Sequence, residues 1–163
     1  MIWLFVVLAL LLASFGLVVL VGAPFLPTLR PQIIAALELA DLKPGQRLLE
    51  LGCGDGRVVA AAAKQGIDVV GYELNPILAA VAWLRIRRYR DNAHIIWGNY
   101  WQGEWPDADA IFVFLLQKYM KKLDNKIIQY NHKPVKLVSY AFKVPNKKII
   151  KQSAGVFLYE YTE

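Results

Sequence analysis

A short glycine-containing loop follows the first strongly strand-like segment of the chain. Its sequence is Glu50-Leu51-Gly52-Cys53-Gly54-Asp55-Gly56, placed after an apolar strand predicted at Arg47–Leu51 and before an alanine-rich helix predicted at 57–65. Glycines at such a turn allow positive φ and let a ligand approach the backbone closely. The loop lacks both the Gly-Lys-Ser/Thr ending of a phosphate-binding loop and the Gly-x-Gly-x-x-Gly spacing of dinucleotide folds. It therefore predicts a ligand site of another kind at the end of this strand.

Strands and helices alternate on both sides of the loop. Helices are predicted at 32–41, from Asn75-Pro76 to about Arg90, and at 118–128; strands are predicted at 68–72, 94–98, 110–116, 135–142 and 155–161, with a short strand at 147–151. This alternation predicts an α/β fold with a doubly wound, mostly parallel sheet. The strand-rich end of the chain predicts an antiparallel C-terminal hairpin.

An acidic residue closes the second predicted strand of the alternation. Glu73 follows Gly71-Tyr72, a little over twenty residues after Glu50. In open α/β sheets a carboxylate at this position can accept both hydroxyls of a ribose. The alternative is an acid that only stabilises the start of the following helix. Together with the glycine loop, the position of Glu73 favours an adenosine-containing ligand.

The first 29 residues contain no Asp, Glu, Lys, Arg or His. Residues 1–22 are apolar over about the 20 residues that a spanning helix requires, so they predict a retained membrane anchor. A cleaved signal peptide is disfavoured because no basic segment comes first. A proline-rich connector is predicted at 23–31 and the folded domain at 32–163. All 19 Lys and Arg follow the span, which predicts a single-pass protein with its domain in the cytoplasm.

Basic residues give the chain a formal net charge of +6. They cluster in two predicted helices, as Arg85, Arg87, Arg88 and Arg90, and as Lys118, Lys121, Lys122 and Lys126. Nucleic-acid binding, a solvated face and contact with anionic lipid are the alternatives, and the predicted anchor favours lipid. No nucleic-acid partner is expected. A metal site is not expected either, because Cys53 is the single cysteine and His94 and His132 are isolated.

The loop and the acidic strand end resemble the class I S-adenosylmethionine-dependent methyltransferases, in a match that covers residues 23–163. More narrowly, the chain resembles the small single-span protein-lysine methyltransferases that modify mitochondrial membrane proteins, among them the ATP synthase c subunit and the adenine nucleotide translocase, and their bacterial relatives. The segments that carry this likeness are Pro24-Phe25-Leu26-Pro27-Thr28, residues 55–62, Gly71-Tyr72-Glu73-Leu74-Asn75-Pro76, residues 109–116 and residues 138–142. The resemblance implies a Rossmann-like, seven-stranded methyltransferase sheet with S-adenosyl-L-methionine as cofactor.

The resemblance also implies roles for individual residues. Gly52, Cys53 and Gly54 would line the methionine portion of the cofactor, and Glu50 and Asp55 would contact its ammonium end. Glu73 and Leu74 would lie at the ribose region. Asn99 and Tyr100 would lie at the adenine. Asn99 departs from the Asp that is frequent at its position in the wider superfamily. The segment 25–28 would fold over the cofactor or the entering lysine.

A lysine acceptor has to reach its neutral form before its amine can react, which sets requirements for the pocket around it. Its amine has a pKa of about 10.4, so reaching the neutral form at pH 7 costs about 4–5 kcal/mol. A dry pocket beside a sulfonium lowers that cost without a dedicated base. The expected walls of the acceptor pocket are Thr28, Trp101, Leu115, Leu116 and Gln117, of which Thr28, Trp101 and Gln117 are the candidate catalytic residues.

The segment after the fourth predicted strand reads Phe114-Leu115-Leu116-Gln117. It lacks the Asn/Asp-Pro-Pro-Tyr/Phe motif common in enzymes that methylate planar amide or base nitrogens, which argues against a nucleobase amine. A membrane or membrane-adjacent protein is the expected substrate. A small molecule or lipid is the alternative acceptor, and a degenerate, inactive cofactor-binding protein is disfavoured by the intact Glu50 and Glu73.

Overall fold

The computed structural model describes residues 2–6, 26–130 and 134–162. Residues 2–6 are helical. The helices of the domain are α1 (Arg30–Ala40), α2 (Arg57–Ala63), α3 (Pro76–Ile86) and α4 (Gln117–Ile128), and the strands are β1 (Arg47–Leu51), β2 (Asp68–Glu73), β3 (Ala93–Trp97), β4 (Ala110–Val113), β5 (Val135–Tyr140), β6 (Lys151–Ser153) and β7 (Val156–Tyr161).

The strands form one seven-stranded sheet in the order β3-β2-β1-β4-β5-β7-β6. The pairs from β3 to β5 are parallel, and β7 runs antiparallel between β5 and β6. These features confirm the predicted doubly wound sheet with an antiparallel C-terminal hairpin. The chain winds outward in opposite directions from β1 and β4, so the loops after these two strands diverge and leave a crevice for a ligand.

Apolar side chains cover both faces of the sheet. Successive residues of a strand point to opposite faces, and accordingly Leu48 packs into a cluster with α1, α2 and α3, while Leu49 packs into the cluster that includes α4. The central strand β4 is buried throughout. Because the middle of the sheet has no solvated face, polar groups buried at its carboxyl edge need partners from the protein, from water or from a ligand.

Several predicted boundaries differ from the structure. Helix α3 ends at Ile86 instead of near Arg90, because the Asn92 side chain donates to the carbonyls of Ala63 and Ile67 and turns the chain into β3. Strand β4 ends at Val113 instead of Leu116, since its neighbour β1 ends at Leu51, the partner of Val113.

The hairpin strand β6 begins at Lys151, whereas the sequence predicted a strand at 147–151. Ala154 and Gly155 both have positive φ, of 49° and 75°. Two such residues form the tight turn that joins antiparallel strands most favourably. The turn pairs Ser153 with Val156, so β6 has to end directly at this turn.

The predicted membrane anchor at 1–22 lies, apart from residues 2–6, outside the described residues. Within the described ranges no helix has the length and apolar character needed to cross a membrane. The anchor therefore stays a prediction. His132 also lies outside the described residues, whereas His94 is exposed on the edge strand β3.

Gly71 in β2 provides a test of the packing beneath the glycine loop. A Cβ added there would lie 2.9 Å from Val59 Cγ2 and 3.0 Å from both Cβ and Sγ of Cys53. We expect Gly71→Ala to lower the free energy of unfolding by about 1–3 kcal/mol, as overpacked cores do. The measurement is a denaturant or thermal unfolding curve.

Gly98→Ala is the matched control, because the nearest atom to its added Cβ is Ile96 Cγ2 at 4.0 Å. Its free energy of unfolding should change by no more than about 0.5 kcal/mol. Equal effects of the two substitutions would contradict the packing described for β2.

Candidate active site

The loop after β1 is fixed to the end of β2 by backbone hydrogen bonds. The N–H groups of Gly52 and Cys53 donate to the carbonyl of Tyr72 at 2.9 Å and 2.8 Å. Gly52 has φ +84°, and a Cβ added to it would meet no atom within 4 Å. The loop thus presents bare backbone to open space, where a ligand can approach it.

Glu73 joins the same loop to the start of α3. Its Oε2 accepts from Gly54 N–H at 2.8 Å, and its Oε1 accepts from Asn75 N–H at 2.7 Å. Burial raises the pKa of Glu73 above its ordinary value, against the effect of these hydrogen bonds. Each oxygen keeps a further lone pair, so the carboxylate can still accept two hydroxyl groups.

Glu50 is the least satisfied carboxylate of the site. It is fully buried on β1, and its Oε2 has no hydrogen-bond partner among the described residues. Burial first, and then the charges of Asp55 and Glu73, raise the pKa of Glu50 well above the ordinary value. Such a group is costly when ionised, unless a cationic ligand group lies beside it.

Asp55 is bound by two arginines. Its Oδ1 and Oδ2 accept from Arg57 at 2.9 Å and 2.7 Å, and Oδ2 also accepts from Arg85 at 2.8 Å. Burial would raise the pKa of Asp55, but the two guanidinium groups lower it overall. Both oxygens are therefore engaged within the protein, in contrast to those of Glu50.

Arg57 also reaches the segment that precedes α1. Its Nη1 donates to the Thr28 carbonyl at 3.3 Å, and Thr28 is buried. Residues 26–28 consequently lie against the glycine loop and form one wall of the cleft. Phe25, for which the sequence predicted the same position, lies outside the described residues.

Loops at the carboxyl edge of the sheet enclose a cleft of about 250 Å³. All but one of the predicted site residues line it. These are Thr28, Glu50, Gly52, Cys53, Gly54, Asp55, Glu73, Leu74, Asn99, Tyr100 and Trp101, with the predicted wall residues Leu115 and Leu116.

Gln117 is the predicted site residue that the structure does not bring to the cleft. It is exposed at the first position of α4, and its Nε2 donates to the Lys143 carbonyl at 3.1 Å. The chain enters the helix after Leu116, and this turn directs the Gln117 side chain toward the segment after β5.

The loop after β3 supplies an aromatic wall. The Asn99 side chain accepts from Trp101 N–H at 2.9 Å, which fixes the turn that carries Tyr100 and Trp101. The two rings lie 4.9 Å apart, and burial raises the pKa of Tyr100. Lys126 of α4 holds the Trp101 carbonyl at 3.0 Å. The wall is therefore positioned from both ends.

The sequence did not indicate several lining residues. Phe114, Ala141 and Phe142 line the cleft because β4 and β5 end early, and Ala141 turns the chain with φ 67°. Apolar residues in such positions look like ordinary strand residues. The sequence placed Arg85 in a basic cluster 30 residues after Asp55, and the pairing of Arg57 and Arg85 with Asp55 requires the fold.

The fold of the chain is similar to that of a solved methyltransferase. The crystal structure of an RNA methyltransferase from Salinibacter ruber, in complex with S-adenosyl-L-homocysteine, superposes with a TM-score of 0.78. The two are 26% identical, and the match covers 85% of this chain and 95% of that one. The fold is thus that of a methyltransferase domain.

The particular family follows from the sequence match. The ANTKMT methyltransferase domain family matches residues 50–151, which is more than half of the chain, and the chain belongs to this family. This confirms the resemblance to lysine methyltransferases of that group.

Two relatives illustrate the range of the similarity. The human lysine N-methyltransferase of the ATP synthase c subunit is 30% identical over 127 residues, which are 76% of this chain and 53% of the human protein. A protein-lysine N-methyltransferase from Saccharolobus islandicus is 29% identical over 148 residues, covering 83% of this chain and 92% of the relative. The chain thus spans about half the length of the human protein but nearly all of the archaeal one.

The raised pKa of Glu50 predicts a pH dependence of stability in the cofactor-free protein. Between the ordinary pKa and the raised one, the folded state binds more protons than the unfolded state, so stability falls as pH rises through this window. Glu50→Gln is neutral at every pH. We expect the stability of the wild type relative to this variant to fall as the pH is raised from about 5 toward about 8.

The measurement is thermal unfolding of both proteins across this range. Glu38→Gln is the control, because Glu38 is exposed on α1, and its difference from wild type should stay flat. A flat difference for Glu50→Gln as well would contradict the electrostatic description of the site.

Proposed function

We propose that this protein is an S-adenosylmethionine-dependent methyltransferase that methylates a lysine side chain of a membrane or membrane-adjacent protein. The observation that carries the proposal is the buried Glu50 Oε2 without a partner among the described residues, which lies in a cleft that Glu73 also lines. Membership of a methyltransferase family and two relatives named as lysine methyltransferases support the same activity.

The residues of the cleft fit this cofactor. Glu50 can accept from a cationic ammonium group, Glu73 has lone pairs for two ribose hydroxyls, and the bare Gly52 backbone leaves room for the methionine portion. Asn99 and Tyr100 are proposed to surround the adenine, and Leu74 is proposed to contact the ribose region. The Salinibacter relative was crystallised with S-adenosyl-L-homocysteine, the demethylated form of the cofactor.

For Asp55 we propose a supporting role in place of a direct contact with the ammonium group. Both of its oxygens are bound by Arg57 and Arg85, and Arg85 Nε also holds the Asp55 carbonyl at 2.8 Å. This double attachment keeps the loop in one conformation. Preorganised backbone positions reduce the entropy that binding would otherwise cost.

The bound cofactor supplies an electrophilic methyl group on a sulfonium. Thr28, Trp101, Phe114 and Leu115 line the part of the cleft that we assign to the acceptor, and most of these side chains are apolar. An amine enclosed there loses its hydration, which lowers its pKa and exposes the lone pair for an in-line attack. The walls also hold the amine in line, and such alignment can contribute several kcal/mol.

The N-terminal residues are proposed to anchor the enzyme to a membrane. Residues 1–29 are uncharged, and the side chains of Ile2, Trp3, Leu4 and Phe5 are mostly exposed to solvent. A bilayer would cover such apolar surface. The position of Leu26–Thr28 at the cleft wall would then place the active site close to the membrane, with the domain on the cytoplasmic side.

A small molecule or lipid is the alternative acceptor, since an apolar cleft near a bilayer would also admit one. An RNA acceptor is suggested by the name of the Salinibacter relative. Against it stands the Phe114-Leu115-Leu116 segment of the cleft, which offers no side-chain acceptor for a nucleobase amine.

Glu73 tests the cofactor site. Glu73→Gln removes the charge and should weaken binding of S-adenosyl-L-homocysteine about 10-fold or more, since a hydrogen bond to a charged group contributes about 1.5–3 kcal/mol. Glu73→Ala should abolish binding. Titration calorimetry measures the affinity, and circular dichroism checks that each variant is folded.

Glu104→Gln is the control, because Glu104 is exposed and its backbone carbonyl, not its side chain, accepts from Tyr72. It should bind like the wild type. Unchanged affinity in both Glu73 variants would show that the ribose assignment is wrong.

The acceptor class is tested by incubating the enzyme with native membranes and methyl-labelled S-adenosylmethionine. We expect the label to appear in a protein band and to be recovered as methyl-lysine. Label extracted into organic solvent would support the lipid alternative, and label sensitive to ribonuclease would support RNA. The Glu73→Ala variant should transfer no label to any of the three.

A further inference from the structure

One helix of the domain turns large apolar side chains toward solvent. On α3, the exposed fractions are 70% for Trp83, 60% for Leu84 and 41% for Val81. No charged residue occurs from Pro76 to Leu84. Exposed helix faces are usually polar, so an uncharged face of this size indicates a surface that something covers.

The neighbouring edge strand extends this surface. Trp97 of β3 is 68% exposed, and its Nε1 donates to the carbonyl of Leu74, just before α3. Residues of β3 with the same parity, Ala93 and Ile95, pack into the core cluster that also contains α3. Trp97 therefore lies on the α3 side of the sheet. We call Val81, Trp83, Leu84 and Trp97 the α3 face.

Arginines adjoin the α3 face. Arg87 and Arg88 line an open groove together with Val81 and Leu84, and Arg90 is exposed beyond them. None of the ion pairs formed within the described ranges includes these three arginines. Asp91, which is also exposed, is the acidic residue that follows them. The charge beside the apolar face is thus mainly positive.

We propose that the α3 face rests on the surface of an anionic bilayer. Tryptophan is enriched where hydrocarbon meets the headgroups, and arginine binds phosphate with a planar array of donors. The two tryptophans and Leu84 would enter the interface, and Arg87, Arg88 and Arg90 would bind lipid phosphates. Basic residues near an anionic leaflet are attracted over about a Debye length.

The route of the chain favours a bilayer over a protein partner. Arg57 lines the same groove as Arg87 and also donates to the Thr28 carbonyl, so the end of the uncharged N-terminal segment lies beside this groove. Leu26 and Leu29 are exposed on that route, at 58% and 56%. The inference rests on the proposed membrane location of the enzyme and adds to it a defined orientation of the domain.

Helix α4 cannot lie on the same bilayer surface as the α3 face. Its buried residues belong to the core cluster on the opposite face of the sheet. Lys118 and Lys121, both exposed on α4, consequently provide a matched control for charge. Removing them changes the net charge as much as removing Arg87 and Arg88, but on the other side of the domain.

The test reconstitutes the full chain in vesicles with an environment-sensitive fluorophore at one introduced cysteine. Cys53, the natural cysteine, is buried, so labelling is directed to the new site. Ala80→Cys lies on the exposed side of α3, and Gln152→Cys lies on β6 at the opposite edge of the sheet. The vesicles contain phosphatidylcholine alone or with phosphatidylserine.

With phosphatidylserine present, the probe at position 80 should shift to the blue and be quenched by brominated lipid, while the probe at 152 should stay water-like. The shift should be lost in Arg87→Gln/Arg88→Gln and kept in Lys118→Gln/Lys121→Gln. It should weaken in about 1 M salt, where the Debye length is about 3 Å.

Several results would overturn the inference. One is a probe at position 80 that stays water-like although the protein sediments with the vesicles. Shielding that increases with protein density and not with anionic lipid would indicate a second copy. The same measurement in native membranes completes the test, and shielding seen there but not in the phosphatidylserine vesicles would indicate a protein partner. Failure of the proposed membrane location is distinguishable, because the protein would then not sediment with vesicles at all.

Discussion

The carboxylate of Glu73 connects three parts of the molecule that have to be aligned for a ligand to bind. It ends β2, accepts from Gly54 in the loop after β1, and accepts from Asn75, whose own side chain caps α3. Because both loops and the start of α3 meet at one side chain, the shape of the cleft depends on these two hydrogen bonds.

The site gathers three carboxylates, and the protein treats each one differently. Asp55 is neutralised by two guanidinium groups, Glu73 is held by backbone N–H groups, and Glu50 keeps one oxygen without a partner among the described residues. The first arrangement stabilises the fold, whereas burial of the ionised Glu73 outweighs the effect of its hydrogen bonds. The arrangement of Glu50 destabilises the fold. It is tolerable because a cationic ligand group can compensate the buried charge, which is the usual trade-off between stability and binding at a functional site.

Much of the fold was predictable, because β1, β2 and α2 have simple local signals: apolar runs, glycine turns and alanine. The position of Glu73 at the cleft followed from its strand end together with the glycine loop, and the role of Glu50 followed from the family resemblance. What the sequence could not supply were contacts that depend on topology. Asp55 meets Arg85 only when α3 packs beside α2, and Gln117 points away from the cleft because β4 stops at Val113, well before the end of its apolar run.

Arg57 binds Asp55 with one part of its guanidinium and the Thr28 carbonyl with another. The glycine loop and the segment that leads out of the domain therefore share a side chain, and neither can move without changing the other's hydrogen bonds. Such coupling is reciprocal in thermodynamic terms. An ordering of residues 26–28 that changes the affinity of the loop for a ligand is matched by an equal effect of that ligand on the segment. The segment 26–28 and the glycine loop are thus linked through the one side chain of Arg57.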